Sequence, residues 1–149
     1  MRISVVSGAI FGCVLCLTAC DKPGQSGSPK PDKNLIQGTW AIQKLNSPAG
    51  FHGGPGPAPN DYMQFDGDII VGVNNGMEER GTFTIDSQKS PKEIDLSIKT
   101  PTGTTDVMKA IYELNGDTLR IAMDVGPSGA RPTSFQGTQV MTVEFQRKK

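Results

Sequence analysis

Few side chains in this sequence are suited to chemistry. All three cysteines lie within the first twenty residues, and Cys13 and Cys16 have the C-x-x-C spacing of a redox or metal pair. The single histidine, His52, lies in a stretch rich in glycine and proline. A catalytic histidine must be held by a third group, and one histidine with so few cysteines is too little for a His/Cys metal site. We therefore expect no enzyme activity, no metal and no cofactor.

Carboxylates form two further groups of candidates. Asp66-Gly67-Asp68 and Asn115-Gly116-Asp117 offer oxygen ligands for Ca²⁺, but they lack the EF-hand spacing and are typical of turns. Asp86, Glu93 and Asp95 could pair as general acid and base. The alternation of the sequence places Glu93 and Asp95 on an outward face, so we interpret them as a solvated surface.

The first nineteen residues have the pattern of a signal peptide. Arg2 supplies a positive charge, and residues 3–17 are apolar apart from two serines. This stretch is shorter than the roughly 20 residues that span a bilayer as a helix. It ends in Leu17-Thr18-Ala19-Cys20, which resembles the lipobox of bacterial lipoproteins.

That resemblance implies that residues 1–19 are removed and that Cys20 becomes a lipidated N-terminus carrying acyl chains such as palmitate. Each buried methylene contributes about 0.8 kcal/mol, and stable attachment takes at least two chains. Cys13 and Cys16 would then be discarded with the signal. The alternative is an ordinary secretory cleavage site at Cys20. The expected location is the cell envelope, on the extracytoplasmic side of a bacterial membrane; Asp21 resembles an inner-membrane retention signal, but the choice of membrane stays open.

Composition and charge favour one small domain behind a tether. The chain has 149 residues with fifteen basic and fifteen acidic side chains, so no positive excess favours nucleic-acid binding. Residues 20–33 lack large apolar side chains and are rich in Pro, Gly and Ser, which predicts a flexible tether. The folded domain is predicted over residues 34–149, and we expect a monomer.

The elements that must position any site are short strands. Eight apolar runs of period two are separated by turn signals, and no segment has a convincing helical period. One apolar face per strand predicts an antiparallel sheet, which eight strands can close into an up-and-down barrel. The apolar residues that mark the runs are Trp40 and Ile42; Met63 and Phe65; Ile69, Val71 and Val73; Phe83 and Ile85; Ile94, Leu96 and Ile98; Met108, Ala110, Tyr112 and Leu114; Leu119, Ile121, Met123 and Val125; and Met141, Val143 and Phe145.

Residues 47–60 interrupt this rhythm with several prolines and glycines, which excludes a central strand. Two interpretations remain open. The segment is either a surface insertion or a lid over the barrel with Phe51 as its apolar tip.

Six motifs follow one another along the predicted domain. They are Gly38-Thr39-Trp40, Phe65-x-Gly67-Asp68, Gly81-Thr82-Phe83-Thr84-Ile85-Asp86, Lys89-x-Pro91-Lys92-x-Ile94-Asp95-Leu96, Ile111-Tyr112-Glu113-Leu114-x-Gly116-Asp117-Thr118-Leu119-Arg120-Ile121 and Arg131-Pro132-Thr133-x-Phe135. Together, in this order, they resemble a lipocalin-like domain family of uncharacterised bacterial proteins, known largely from planctomycetes. The resemblance covers about residues 34–147 and implies a lipocalin-like barrel without an established activity. The insertion at 47–60 departs from the family pattern.

In lipocalins the tryptophan of the first motif packs under an arginine near the end of the last strand. Arg147 shares a face with Phe145, and the end of the last strand lies beside the start of the first strand in a closed barrel. We therefore expect Arg147 to lie over Trp40 with a cation–π contact of about 0.5–2 kcal/mol. Arg131 and Arg120 are the fallback candidates.

The inward face predicts a candidate ligand cavity. Its methionines either fill the core or line an adaptable pocket, and we find no polar side chain on this face that would orient a charged ligand. The favoured function is a membrane-anchored module that binds a small apolar or amphipathic ligand. The alternative is a filled barrel that binds an envelope protein or inhibits an extracytoplasmic enzyme through its loops. The candidate cavity residues are Trp40, Met63, Phe65, Phe83, Met108, Tyr112, Met123, Met141 and Phe145.

Overall fold

The computed structural model describes residues 31–48, 57–99 and 103–149. The strands are β1 (Gly38–Asn46), β2 (Tyr62–Asp66), β3 (Ile69–Asn74), β4 (Met77–Asp86), β5 (Lys92–Lys99), β6 (Thr105–Asn115), β7 (Thr118–Asp124) and β8 (Val140–Arg147), and the helix α1 (Asp32–Leu35) precedes them. Each strand pairs antiparallel with the next, and β8 pairs with β1. The predicted all-β, up-and-down barrel of eight strands is confirmed.

Two-residue turns give the barrel its hairpins. Asn75 and Gly76 join β3 to β4, both with positive φ (50° and 79°), as a type I′ turn requires. The predicted turns at 66–68 and 115–117 are also hairpins, with Gly67 and Gly116 in the left-handed region. Short connections of this kind bring consecutive strands side by side, so the order of the strands follows the chain.

The apolar set predicted for β3 is wrong by one residue. Ile69, predicted on the apolar face, is 49% exposed, whereas Ile70 is buried in the core. The turn after β2 pairs Phe65 with Ile70, and residues directly opposite each other point to the same side of a sheet. Because Phe65 faces inward, Ile70 must do so too.

The helix α1 was not predicted, and it extends the folded unit into the predicted tether. Asp32 accepts hydrogen bonds from Lys92 and Tyr112, and Ile36 is fully buried directly after the helix. A single turn is too short to show a helical period, so these contacts with the barrel account for it. Among the described residues no helix is long and apolar enough to cross a membrane.

The chain that connects β7 to β8 runs across the outer surface of the barrel. We call residues 126–138 of this connection the outer strap. Arg131 forms ion pairs with Glu93 and Asp95. The outward-facing pair Ile111 and Ala122 is fully buried. Glu93 and Asp95 point outward, as predicted, and their side chains stay about one-third exposed (33% and 35%). The sequence did not indicate that Arg131 forms ion pairs with both.

Candidate functional site

The two ends of the barrel differ in construction. One end, which we call the floor, carries α1 and the turns after β2 and β6. There Gln37 bonds the backbone of Gly67, and the Arg147 N–H donates to the Asp117 carbonyl. The opposite end, which we call the mouth, is bordered by the β3–β4 hairpin and residues 57–61. Of the residues that the structure describes, packed side chains and helix contacts close the floor.

At the floor, Arg147 lies over Trp40, as the alternation of β8 predicts. The guanidinium carbon is 4.1 Å from the indole centroid, and the two residues are opposite each other in the β1–β8 register. The same guanidinium donates to the carbonyls of Leu35 (2.5 Å) and Gln37 (2.6 Å). One side chain therefore joins the last strand, the first strand and the segment after α1.

A second polar cluster joins α1 to the barrel. Asp32 Oδ2 accepts hydrogen bonds from Lys92 Nζ at 2.7 Å and from the Tyr112 hydroxyl at 2.8 Å. Burial acts to raise the pKa of the Asp32 carboxyl, but these hydrogen bonds and the charge of Lys92 outweigh it, and the pKa lies below its usual value. Burial and the neighbouring Asp32 carboxylate together raise the pKa of Tyr112 well above its usual value.

The fallback arginines lie outside the barrel wall. Arg131 donates to the carbonyls of Ile94 and Ala110. Arg120 stacks over the Phe135 ring at 4.5 Å, beside a small polar cleft of about 300 Å³, and its buried Nε has no hydrogen-bond partner. Glu113 and Glu144 lie near the charge of Arg120, so the described residues of this cleft present no free cation to an anion.

Between the floor and the mouth lies a cavity of about 380 Å³. Its wall includes five of the predicted cavity residues: Met63, Met108, Met123, Met141 and Phe145. Met77 adds a fifth methionine at the rim. Methionine is flexible and polarisable, so a wall with five of them adapts to ligands of irregular shape. The cavity lies within the barrel, as the sequence pattern predicts.

The other four predicted cavity residues do not line this space. Trp40, Phe65, Phe83 and Tyr112 are buried in the core cluster and fill the floor half of the barrel. Phe65 and Phe83 meet edge to face, with ring centroids 4.8 Å apart. Alternation shows that a side chain points inward, but it does not show how deep in the barrel the side chain lies.

Several residues of the wall were not among the predicted cavity residues. Ile70, Leu96 and Val143 belong to its apolar part, and Gly72 lies on the inward face of β3 opposite Met63. A Cβ built on Gly72 would meet no heavy atom within 4 Å, so open space adjoins the strand there. The register of the β2–β3 hairpin was the signal that could have identified Ile70 and Gly72.

Polar side chains do lie around the mouth, contrary to the expectation from the sequence. Asp61 is buried and lines the cavity, with its carboxylate accepting hydrogen bonds from the Ala58 and Asn75 backbone N–H groups, each at 2.8 Å. Asp61 thus ties the end of the long β1–β2 connection to the β3–β4 hairpin. Glu79 also lines the cavity, and the register pairs it with Gly72.

Several predicted features lie outside the described residues. These are the lipidation site Cys20, the signal peptide with Cys13 and Cys16, Asp21, and the proposed lid tip Phe51 with His52. Within the ranges that the structure describes, no group of three or more His, Cys, Asp or Glu side chains is arranged to hold a metal.

The fold and the cavity together define the class of protein. A closed up-and-down barrel of eight antiparallel strands is the architecture of a lipocalin-like barrel. Barrels of this size are either filled by side chains or hold one small ligand, and this barrel is filled in its floor half and open inside near the mouth. No protein-family model, curated protein or solved structure matches the chain.

Proposed function

We propose that this protein is a lipid-anchored, lipocalin-like module of the bacterial cell envelope that binds a small apolar or amphipathic ligand inside its barrel. The observation that carries the proposal is the cavity of about 380 Å³. Small-molecule sites usually occupy roughly 300–1,000 Å³. At roughly 30 Å³ per water-sized group, the cavity holds about a dozen non-hydrogen atoms, the size of a medium acyl chain or a small ring system.

The chemistry of the wall supports an apolar ligand. Methionines from β2, β6, β7 and β8 face one space together with Ile70 and Leu96. Each methylene that moves from water into such a space contributes about 0.8 kcal/mol. Ordering of the ligand and its loss of free translation offset much of that gain, so we expect dissociation constants on the order of 10 µM for ligands of this size.

The position of Asp32 is compatible with an anchored binding module. The chain enters the barrel at Asp32 on the floor, and Tyr112 and Lys92 hold this point. Lipid on Cys20 would therefore connect to the floor end of the barrel through residues 21–31. The residues between Cys20 and Asp32 resemble a tether in composition.

Protein spanning residues 21–149 is suited to the test, because the described strands pair only with one another and α1 packs against them. We expect native mass spectrometry to detect a retained adduct of small-molecule mass. The neutral fluorescent probe N-phenyl-1-naphthylamine should bind saturably, with one site per chain.

A blocked variant tests whether the probe occupies the barrel. Gly72→Phe places a ring in the open space beside β3, and we expect at least ten-fold weaker probe binding with an unchanged fold. Thr82→Phe is the matched control, since Thr82 is exposed on the outer face of the neighbouring β4. Equal probe binding by both variants, or no binding by the parent protein, would contradict the proposal and favour a module that acts through the outer strap and the 47–60 loop.

A further inference from the structure

The described residues that line the cavity include negatively charged side chains and no positively charged ones. Its acidic lining side chains in the described residues are Asp61 and Glu79, and none of the described lining residues is Lys, Arg or His. Its other polar lining side chains, Tyr62, Asn74 and Asn75, are uncharged. Carboxylates and amide oxygens accept hydrogen bonds, and the two acids contribute negative charge. The mouth is therefore an electronegative rim around an apolar space.

The two acidic side chains differ in the hydrogen bonds that they already form. The Asp61 carboxylate accepts two backbone hydrogen bonds and is buried, so its oxygens are already used to fasten the β1–β2 connection. Glu79 forms no hydrogen bond or ion pair with another described residue. It is exposed at the rim, and its carboxylate is available to a ligand.

Glu79 also has free space beside it. Glu79 and Gly72 are directly opposite each other in the β3–β4 register and share the inward face. Gly72 has no side chain, and nothing lies within 4 Å of where its Cβ would be. A ligand head group that enters along β3 at this point meets a carboxylate on one strand and no competing side chain on the other.

The neighbouring charged side chains of β4 do not neutralise the Glu79 carboxylate on the inner face of the barrel. Glu78 and Arg80 belong to the opposite face by alternation, and they pair with each other at 2.6 Å. A cationic head at the mouth would therefore meet the unpaired Glu79, whereas an anionic head would meet like charge without a cation in the lining to offset it. Like charges that approach during binding reject a ligand, and complementary charges select it.

We propose that the ligand is an amphipathic amine, with an apolar body in the methionine-lined space and a cationic head at Glu79. This inference deepens the proposed function and depends on it. The apolar wall supplies most of the affinity for any ligand, and Glu79 sets the preference among head groups. A fatty-acid-type carboxylate is the ligand class that this mouth disfavours.

Three probes of equal chain length separate the head group from the body: decylamine, decanol and decanoate at pH 7 and low salt, each below its solubility limit or micelle concentration. Titration calorimetry of residues 21–149 should give affinities in the order amine, alcohol, carboxylate, with at least ten-fold between the first and the last. Glu79→Gln should weaken decylamine about five-fold, tighten decanoate and leave decanol unchanged, because only the charged heads interact with Glu79 by Coulomb's law. Added salt should reduce the preference for the amine, and the reduction should be smaller in the variant because only Asp61 remains as an acid in the described lining.

Glu78→Gln is the matched control, since it removes the same charge from the other face of the same strand. We expect it to change each affinity by less than two-fold. Equal affinities for the three probes, or the same response in both variants, would overturn the head-group inference while leaving the binding function intact. Failure of decanol and of every other probe to bind would overturn the binding function itself, and the inference with it.

Discussion

Replacing Arg147 by methionine keeps an unbranched side chain over the floor and removes everything that the guanidinium does there. The guanidinium lies 4.1 Å from the Trp40 centroid, donates to the carbonyls of Leu35 and Gln37, and places its Nε 3.2 Å from Asp117. A cation–π contact contributes about 0.5–2 kcal/mol and a charged hydrogen bond about 1.5–3 kcal/mol. The ion pair with the half-exposed Asp117 contributes little. Since water can partly replace the lost donors, we expect the free energy of unfolding to fall by about 2–4 kcal/mol.

Urea unfolding followed by far-UV circular dichroism measures this change without depending on the indole, whose own fluorescence the substitution would alter. Lys149→Met is the matched control, because Lys149 approaches the same Asp117 from the surface at 3.8 Å and is 88% exposed. We expect the control to change stability by less than about 0.5 kcal/mol. An Arg147→Met variant as stable as the control would refute the conclusion that this arginine closes the floor. Arg147→Lys should recover part of the loss, since an ammonium restores charge over the ring but not the two-pronged hydrogen bonding.

Three further predictions concern the polar contacts that join segments of the chain. Asp32→Asn should destabilise the protein by about 1–2 kcal/mol near neutral pH. Because the folded-state pKa of Asp32 is lowered, this difference should be present above about pH 4 and shrink as the pH falls further. A difference that urea titrations show to be constant down to pH 2 would contradict the lowered pKa of Asp32. In the same variant, absorbance at 295 nm should show the pKa of Tyr112 moving down toward its usual value, since burial and the Asp32 carboxylate hold that pKa high. A Tyr112 pKa that does not move would mean that Asp32 does not contribute. Arg131→Met should lower the free energy of unfolding by about 2–3 kcal/mol and speed amide hydrogen exchange in the outer strap. The reason is that it removes hydrogen bonds to two strand carbonyls and to Asp95. Unchanged exchange in the outer strap would show that apolar packing alone holds it.

The contrast between the ends of the barrel explains why these substitutions should separate stability from binding. Arg147 and Asp32 act at the floor, where buried aromatic side chains fill the interior. Gly72 and Glu79 act at the mouth, where the interior is open. Sites that are far apart and share no partners usually contribute independently. We therefore expect floor variants to lose stability with little change in ligand preference, and mouth variants to do the reverse.

Much of the fold follows from local features of the sequence. Alternation of apolar and polar residues predicts all eight strands, and turn residues such as Asn75-Gly76 place the hairpins, because both depend only on neighbours along the chain. The contact of Arg147 with Trp40 also follows, since closure of a barrel by consecutive hairpins leaves only one partner for the last strand. These features needed no knowledge of distant packing beyond the order of the strands.

Only the tertiary structure determined how deep each inward side chain lies in the barrel and which outward side chains are covered. Phe83 and Met108 both face inward, yet one fills the floor and the other lines the cavity, because the tilt and stagger of the strands determine the level at which each side chain lies. Arg131 covers Asp95 from 36 residues away, a contact that no periodicity records. Glu79 became a candidate head-group contact only when the register set it opposite the empty face of Gly72. Alternation tells which side of a strand a residue occupies, whereas its neighbours across the barrel are set by pairing and closure of the whole sheet.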